Sequence, residues 1–143
     1  MREILFRGKR PRDGKWLFGT PVKSITECYD ECVEIIEKIV YETGLEISTY
    51  ADGERVIPET IGEYTGMADK NGKKIFEGDI VKLDEYVKKA FDVEDGEVKF
   101  GRGGFYIGDF NMLNSLNTLA SYDGILRGEV IGNIYDNPEM VEG

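Results

Sequence analysis

Short runs of alternating apolar and polar residues, separated by glycine-containing turns, dominate the chain. Alternation with a period of two predicts β-strands, and pairs such as Asp13-Gly14 and Asn71-Gly72 supply the positive φ angles that tight reversals need. The strand-like runs are Glu3–Arg7, Lys15–Val22, Leu45–Tyr50, Gly53–Ile57, Asp79–Leu83, Glu97–Phe100, Phe105–Ile107 and Glu129–Tyr135. Asp52-Gly53 separates two of these runs and is predicted as a turn.

Three segments depart from this alternation. Ser24–Thr43 begins with a Ser-x-x-Glu capping box and carries apolar residues at helical spacing, which predicts a helix. The same segment is rich in Ile and Val, so a strand over Val33–Tyr41 is the alternative. Asn111–Ala120 is predicted as a shorter helix, and the acidic stretch Asp84–Glu97 is predicted as a mobile loop.

The predicted fold class is mainly β (α+β), with antiparallel strands forming a small SH3-like barrel or meander and one or two helices. The SH3-like comparison is an analogy at the level of the fold, drawn from a Gly-Asp pair that leads into an alternating strand and from the Gly-x-Val-x-Phe strand that follows it. The predicted domains are residues 1–56, a β-hairpin with the helical segment, and residues 57–143, a barrel-like domain. One continuous domain is the alternative.

The composition narrows the classes of function. The chain of 143 residues has no histidine, which removes His-based acid–base and nucleophile chemistry and the commonest metal ligand. Cys28 and Cys32 lack the further ligands of a zinc site and are interpreted as buried apolar side chains. No phosphate loop, dinucleotide fingerprint or EF-hand is complete, and no spacing selects one pair of carboxylates for catalysis. We therefore expect no enzyme activity, no catalytic residue, no metal and no cofactor.

The formal charge of −10 is unevenly distributed along the chain. Residues 1–23 carry seven basic and two acidic residues, a local charge of +5, whereas residues 24–143 carry 11 basic and 26 acidic residues, a local charge of −15. Basic residues interleaved with aromatic ones can hold single-stranded nucleic acid through phosphate contacts and base stacking. The candidate residues for contact with nucleic acid or a protein partner are Arg7, Lys9, Arg10, Arg12 and Trp16.

An opposing interpretation of these residues is that the aromatic side chains enter the core while the cations pair with the protein's own acids. The acidic remainder of the chain would also repel phosphates over a screening length of about 8 Å. No apolar run is long enough to span a bilayer and the first residues do not resemble a signal peptide, so a cytoplasmic protein without membrane contact is expected.

Three blocks of sequence stand out: ILFRGK at residues 4–9 with GKW at 14–16 and Gly19, PETIGEYTG at 58–66 with DKNGKKIFEGDIV at 69–81, and VIGNIYDNPE at 130–139. Taken together, these blocks resemble the YopX family of phage and prophage proteins. The resemblance spans both ends and the middle of the chain. It implies a phage or prophage origin and a bacterial host cytoplasm, and it implies no activity and no catalytic residues.

The leading functional prediction is a non-enzymatic accessory protein of phage origin with a binding or assembly role. Its expected partner is a second copy of itself or another protein, because the basic and acidic parts of the chain are complementary. The alternative prediction is a nucleic-acid-binding module that uses the basic N-terminal hairpin.

Overall fold

The structure is a computed structural model that describes residues 4–25, 31–41, 49–110, 113–121 and 127–141. The strands are β1 (Phe6–Lys9), β2 (Trp16–Ile25), β3 (Glu31–Tyr41), β4 (Thr49–Ala68), β5 (Lys74–Phe76), β6 (Asp79–Lys82), β7 (Gly96–Gly101), β8 (Gly104–Ile107) and β9 (Glu129–Asn133). The helices are α1 (Glu85–Phe91), α2 (Leu116–Ser121) and a 3₁₀ helix at Pro138–Met140. Their pairings are antiparallel, which confirms the prediction of a mainly β fold.

The chain contacts divide it into two compact units, and the division falls between Glu63 and Tyr64. We call the part before this point the first unit and the part after it the second unit. The long strand β4 contributes its beginning to the first unit and its end to the second.

In the first unit, β1 pairs with β2 along one edge and with β4 along the other, and β3 pairs with both β2 and β4. The small core contains buried Leu17 and Val56, with Phe6 and Ile61 packed against them. Gly8 makes this packing possible, because a Cβ atom there would lie 2.8 Å from Cγ2 of Val56. Any larger residue at this position would push β1 away from the core.

The helix predicted over Ser24–Thr43 is wrong, and the alternative strand over Val33–Tyr41 is confirmed. β3 is a strand whose residues pair with β2, as in Thr20 with Ile36, and with β4, as in Val40 with Tyr50. β-branched side chains are stiff at χ1 and favour a pleated strand, so pairing with two neighbours overrides the helical spacing. Residues 26–30 and 42–48 of this region lie outside the described residues, and so does the burial predicted for the side chains of Cys28 and Cys32.

The turn predicted at Asp52-Gly53 is also wrong. β4 runs through this pair without reversing, and Gly53 is the register partner of Ile36 on β3. Gly53 pairs with β3, and the register shifts between Ile36 and Ile39, opposite Asp52. The Asp-Gly pair therefore lies at an irregularity within a continuous strand and does not reverse the chain.

In the second unit, four strands form a sheet in the order β8-β7-β6-β9, and the end of β4 pairs with β5. This order confirms the strand predictions over residues 79–83, 97–100 and 105–107 to within one residue at either end. The strand predicted over 129–135 forms but ends at Asn133. Ile75, Val81, Val98, Leu116 and Leu119 are fully or almost fully buried in its core. The pairings described in this unit do not close into a barrel, so the SH3-like barrel stays a prediction.

The acidic stretch predicted as a mobile loop begins instead with a helix. The side chain of Asp84 caps α1 by accepting a hydrogen bond of 2.8 Å from the backbone N–H of Tyr86. Val87 points into the core, and Asp92 ends the helix in the left-handed conformation. Burial of Val87 and Val93, with Phe91 packed against the same core, thus orders a segment that its charge predicted to be a loop.

Candidate functional site

The β1–β2 hairpin has one face toward the core of the first unit and one face away from it. In the antiparallel register Arg7 stands opposite Phe18, and Lys9 stands opposite Trp16. Opposite residues share a face of the sheet, whereas Leu17 between the two aromatic residues is buried in the core. We call the surface formed by Arg7, Lys9, Trp16 and Phe18 the hairpin outer face.

This arrangement separates the aromatic residues of the hairpin. Phe6 packs on the core, as the opposing interpretation expects, but Trp16 is half-buried on the outer face and Phe18 is 46% exposed there. Large apolar side chains on the outer face of a sheet gain little from folding, so they are candidates for contact with a partner.

Arg7 is the buried member of this face. Its side chain is 6% exposed, and its guanidinium carbon lies 4.6 Å from the centroid of the Trp16 ring. A cation held against an aromatic ring and away from water contributes to the position of that ring. Arg7 therefore orients Trp16, and its charge is not displayed to a partner.

Arg10 is held inside the turn of the hairpin. Its Nε and Nη2 atoms donate hydrogen bonds of 2.9 Å and 2.6 Å to the two carboxylate oxygens of Asp13. The hydrogen bond from Arg10, with a second from the backbone N–H of Lys15, lowers the pKa of Asp13 well below its usual range. This bidentate pair neutralises Arg10 and fixes the turn.

The remaining cations lie at and near the tip. Arg12 and Lys15 are exposed, and Lys9 is half-buried with its backbone N–H donating to Oγ1 of Thr60 at 2.9 Å. Of the five candidate residues, the structure thus brings Arg7, Lys9 and Trp16 to one face and leaves Arg12 as the exposed cation at the turn. Lys15 is a further exposed cation of the hairpin, although it is not among the five candidate residues named from the sequence.

The second unit contains a cleft of about 590 Å³ that was not predicted from the sequence. Five carboxylates and one lysine line it, a local charge of −4, together with apolar and small residues. The lining is Asp92, Val93, Glu94, Asp95, Gly96, Glu97, Lys99, Ile107, Gly108, Asp109, Asn114, Met140 and Val141. We call this concavity the acidic cleft.

The acidic cleft is assembled from residues far apart in the chain. The segment after α1 supplies one wall, the adjoining ends of β7 and β8 supply another, and the 3₁₀ helix brings exposed Met140 to the lining. Asp95 is fixed by two donors, the backbone N–H of Leu83 at 2.7 Å and Nζ of Lys88 at 3.4 Å. The sequence feature that could have pointed to this cleft is the high density of acidic residues over 92–97. Such a run of acidic residues does not by itself predict a concave surface.

Conspicuous acidic residues in the central sequence block have structural partners. Asp79 is almost fully buried, and its Oδ2 atom accepts a hydrogen bond of 2.8 Å from the backbone N–H of Phe76. Asp69 accepts backbone hydrogen bonds from Asn71 and Lys73 in the turn and from Val130 on β9, each at 2.9 Å. These acids hold backbone segments in place.

In the part of the chain that the structure describes, no group of three or more acidic or cysteine side chains is placed to hold a metal ion. Over the same ranges, no helix is both long and apolar enough to cross a membrane.

Comparison with known proteins identifies relatives over nearly the whole chain. The family model described as YopX protein matches residues 5–142. A solved structure that this chain is similar to is the crystal structure of protein EF1440 from Enterococcus faecalis, with a TM-score of 0.60 and 23% sequence identity over 99% of this chain and 100% of that chain. At that identity the likeness shows the fold alone. No curated protein matches the chain.

Proposed function

Since this chain belongs to the YopX family, we propose for it a non-enzymatic role as a phage or prophage accessory protein that assembles by self-association. The sequence blocks that carry the family resemblance support the phage origin and a place of action in the bacterial cytoplasm. The two charged surfaces described above support the assembly role.

The observation that carries this proposal is the complementarity of those surfaces. The hairpin tip displays Arg12 and Lys15, whereas five carboxylates line the acidic cleft. In the proposed contact the hairpin of one copy inserts its cations into the acidic cleft of a second copy. Such a contact joins two different surfaces, so it leaves one hairpin and one cleft available on each pair for further copies.

Electrostatics sets the expected behaviour of this contact. Exposed opposite charges attract over a screening length of about 10 Å at 0.1 M salt but only about 3 Å at 1 M. Self-association should therefore be strongest at low ionic strength and should weaken steeply as salt is added. An assembly that buries mainly apolar surface would instead persist or strengthen at high salt.

Sedimentation velocity across a salt series tests the proposal. The wild type is expected to sediment as dimers or larger species at low salt and as monomers near 1 M salt. The double variant Arg12→Glu, Lys15→Glu should be monomeric throughout. A matched control is Lys82→Glu, Lys89→Glu, which changes the net charge by the same amount at exposed positions that belong neither to the hairpin nor to the lining of the cleft, and this variant should still associate. A monomeric wild type at low salt contradicts the proposal.

A second candidate function, binding of single-stranded nucleic acid, is favoured by one observation. Trp16 and Phe18 stand beside Lys9 on the hairpin outer face rather than in the core, an arrangement suited to stacking of bases with phosphate contacts alongside. Fluorescence anisotropy with a labelled oligothymidylate tests it. Binding at low salt that Phe18→Ala and Arg12→Ala both weaken would support this function, and no binding at low salt would dismiss it.

A further inference from the structure

A second surface in the second unit combines aromatic rings with cations. In the register of β7 and β8, Lys99 stands opposite Tyr106, on the face away from buried Val98 and Ile107. The ring of Phe110 folds back over this face, with its centroid 5.4 Å from that of Tyr106 and the two planes nearly perpendicular. We call the surface formed by Lys99, Arg102, Tyr106 and Phe110 the aromatic strip.

Arg102 completes the strip. Its guanidinium carbon lies 4.5 Å from the centroid of the Phe110 ring, and both side chains are exposed, Phe110 by 39%. An exposed cation over an exposed ring contributes little to the stability of the fold. The strip therefore has a composition that folding alone does not require.

The backbone at Arg102 strengthens this conclusion. Arg102 and Gly103 form the two-residue turn between β7 and β8, and Arg102 has a φ of 52°. Glycine, asparagine or aspartate is the usual residue at such a position, and a long side chain there strains the backbone. A strained residue that keeps its side chain on an exposed surface points to a use for that side chain in binding.

The aromatic strip is continuous with the acidic cleft. Lys99 belongs to both, and Asp109, which lines the cleft, directly precedes Phe110. A partner that places cations in the cleft would therefore reach the strip with neighbouring residues. The hairpin outer face matches this requirement, because Phe18 is exposed on the same hairpin as Arg12 and Lys15.

We propose that the aromatic strip binds the exposed aromatic side chain of the β1–β2 hairpin, Phe18, from a second copy of this chain. This inference rests on the proposed function and specifies its contact: cations of the hairpin enter the acidic cleft while Phe18 stacks against Phe110 and Arg102. A ring that packs against the Phe110–Arg102 pair gains stacking and loses water on the face that it covers. The carboxylates of the cleft beside the strip disfavour a nucleic acid as its occupant.

The dissociation constant for self-association, measured by sedimentation equilibrium at low salt, tests this contact. Phe110→Ala is expected to weaken association by about tenfold, the size typical of a lost aromatic pair with its buried area. Arg102→Gly should also weaken association, and it relieves backbone strain, so its effect does not arise from unfolding. The control Phe100→Ala removes an aromatic residue that is 56% exposed on the opposite face of β7 and should leave association unchanged.

A double-mutant cycle identifies the occupant. Phe18→Ala and Phe110→Ala should each weaken association, and the two together should weaken it by no more than the stronger single change, because both remove one contact. Additive effects would show that Phe18 does not contact Phe110 and would overturn the inference. So would an unchanged dissociation constant in Phe110→Ala.

Different experimental results would refute this inference and the proposed function. If the wild type associates at low salt and the Arg12→Glu, Lys15→Glu variant does not, but Phe110→Ala associates normally, the inference is wrong and the proposed function stands. If the wild type is monomeric at low salt, both are wrong. If Phe110→Ala loses binding to an oligonucleotide and keeps self-association, the strip serves nucleic acid and the inference is overturned.

Discussion

At the scale of single residues, Asp69 shows how one buried carboxylate organises the second unit. Its side chain is 4% exposed and joins the turn before β5 to the start of β9 through three backbone donors. Burial raises the pKa of Asp69, but the hydrogen bonds from Val130, Lys73 and Asn71 and the charge of Lys73 outweigh burial and lower it overall. The charged form is thus the one that the fold stabilises.

Replacing Asp69 with asparagine should destabilise the protein by about 2 kcal/mol. The amide keeps one acceptor oxygen but turns an NH₂ group toward at least one buried backbone donor, which then loses its partner. Guanidinium unfolding followed by circular dichroism measures the change. Asp92→Asn is the control: it removes an equal charge at an exposed helix end where asparagine also fits, and it should have little effect.

The same carboxylate predicts a pH dependence of stability. Because the pKa of Asp69 is lower in the folded state, its contribution is present above the unfolded value of about 4 and is lost as the pH falls through the folded value. The stability difference between the wild type and Asp69→Asn should therefore be largest near neutral pH and should shrink in acid. A difference that grows as the pH falls below about 4 would contradict this account.

At Arg102, in contrast to Asp69, we expect a substitution that increases the stability of the protein. Arg102→Gly should stabilise the protein by about 1 kcal/mol, because glycine adopts a φ of 52° without strain. Arg102→Ala keeps the strain and should not stabilise. The comparison of the two variants in chemical unfolding separates backbone strain from loss of the contact with Phe110, since both variants lose that contact. Equal stability of the two would show that the turn is unstrained.

At the scale of elements, the packing of β1 in the first unit depends on Gly8. Gly8→Ala places a Cβ atom within 3.0 Å of three atoms of Val56, and this overpacking should cost about 2 kcal/mol. Trp16 is the single tryptophan of the chain and lies on the neighbouring strand, so its fluorescence reports unfolding of the first unit.

The matched control for this prediction is Gly104→Ala on β8. A Cβ atom there meets nothing within 4 Å, so its stability by circular dichroism should stay within about 0.5 kcal/mol of the wild type. An unaltered midpoint for Gly8→Ala in the fluorescence measurement would show that β1 is free to move away from Val56.

The elements that the sequence predicts correctly are those fixed by local chemistry. The hairpin around Asp13-Gly14 and the turn at Asn71-Gly72 follow from residues that favour positive φ, and β6, β7 and β8 follow from alternation between close turns. Strand β3 depends instead on partners distant in sequence. Its capping box and helical spacing are local signals, which pairing with β2 and β4 outweighs.

Only part of the candidate site could be predicted from the sequence, as for the fold. The basic residues of the hairpin are visible in the sequence, but the ion pair of Arg10 with Asp13 and the burial of Arg7 depend on geometry. The acidic cleft and the aromatic strip join residues from separate segments, such as Glu97 and Met140. Spacing along the chain carries no information about such a concavity.

At the scale of the whole molecule, the formal charge of −10 matters less than its segregation. A uniformly acidic protein repels its own copies, whereas a basic hairpin on an otherwise acidic chain gives each copy a surface that attracts the next one. The proposed assembly uses this segregation directly.

A charge swap tests this central claim most directly. One variant reverses the hairpin (Arg12→Glu, Lys15→Glu). Another reverses the cleft (Glu94→Lys, Glu97→Lys, Asp109→Lys), because three such changes add six charges to its local −4 and leave +2. Each variant alone therefore carries like charges on both surfaces. Sedimentation velocity at low salt should find each variant monomeric by itself and an equimolar mixture associated. A mixture that stays monomeric, or variants that associate alone as strongly as the wild type, would contradict the account.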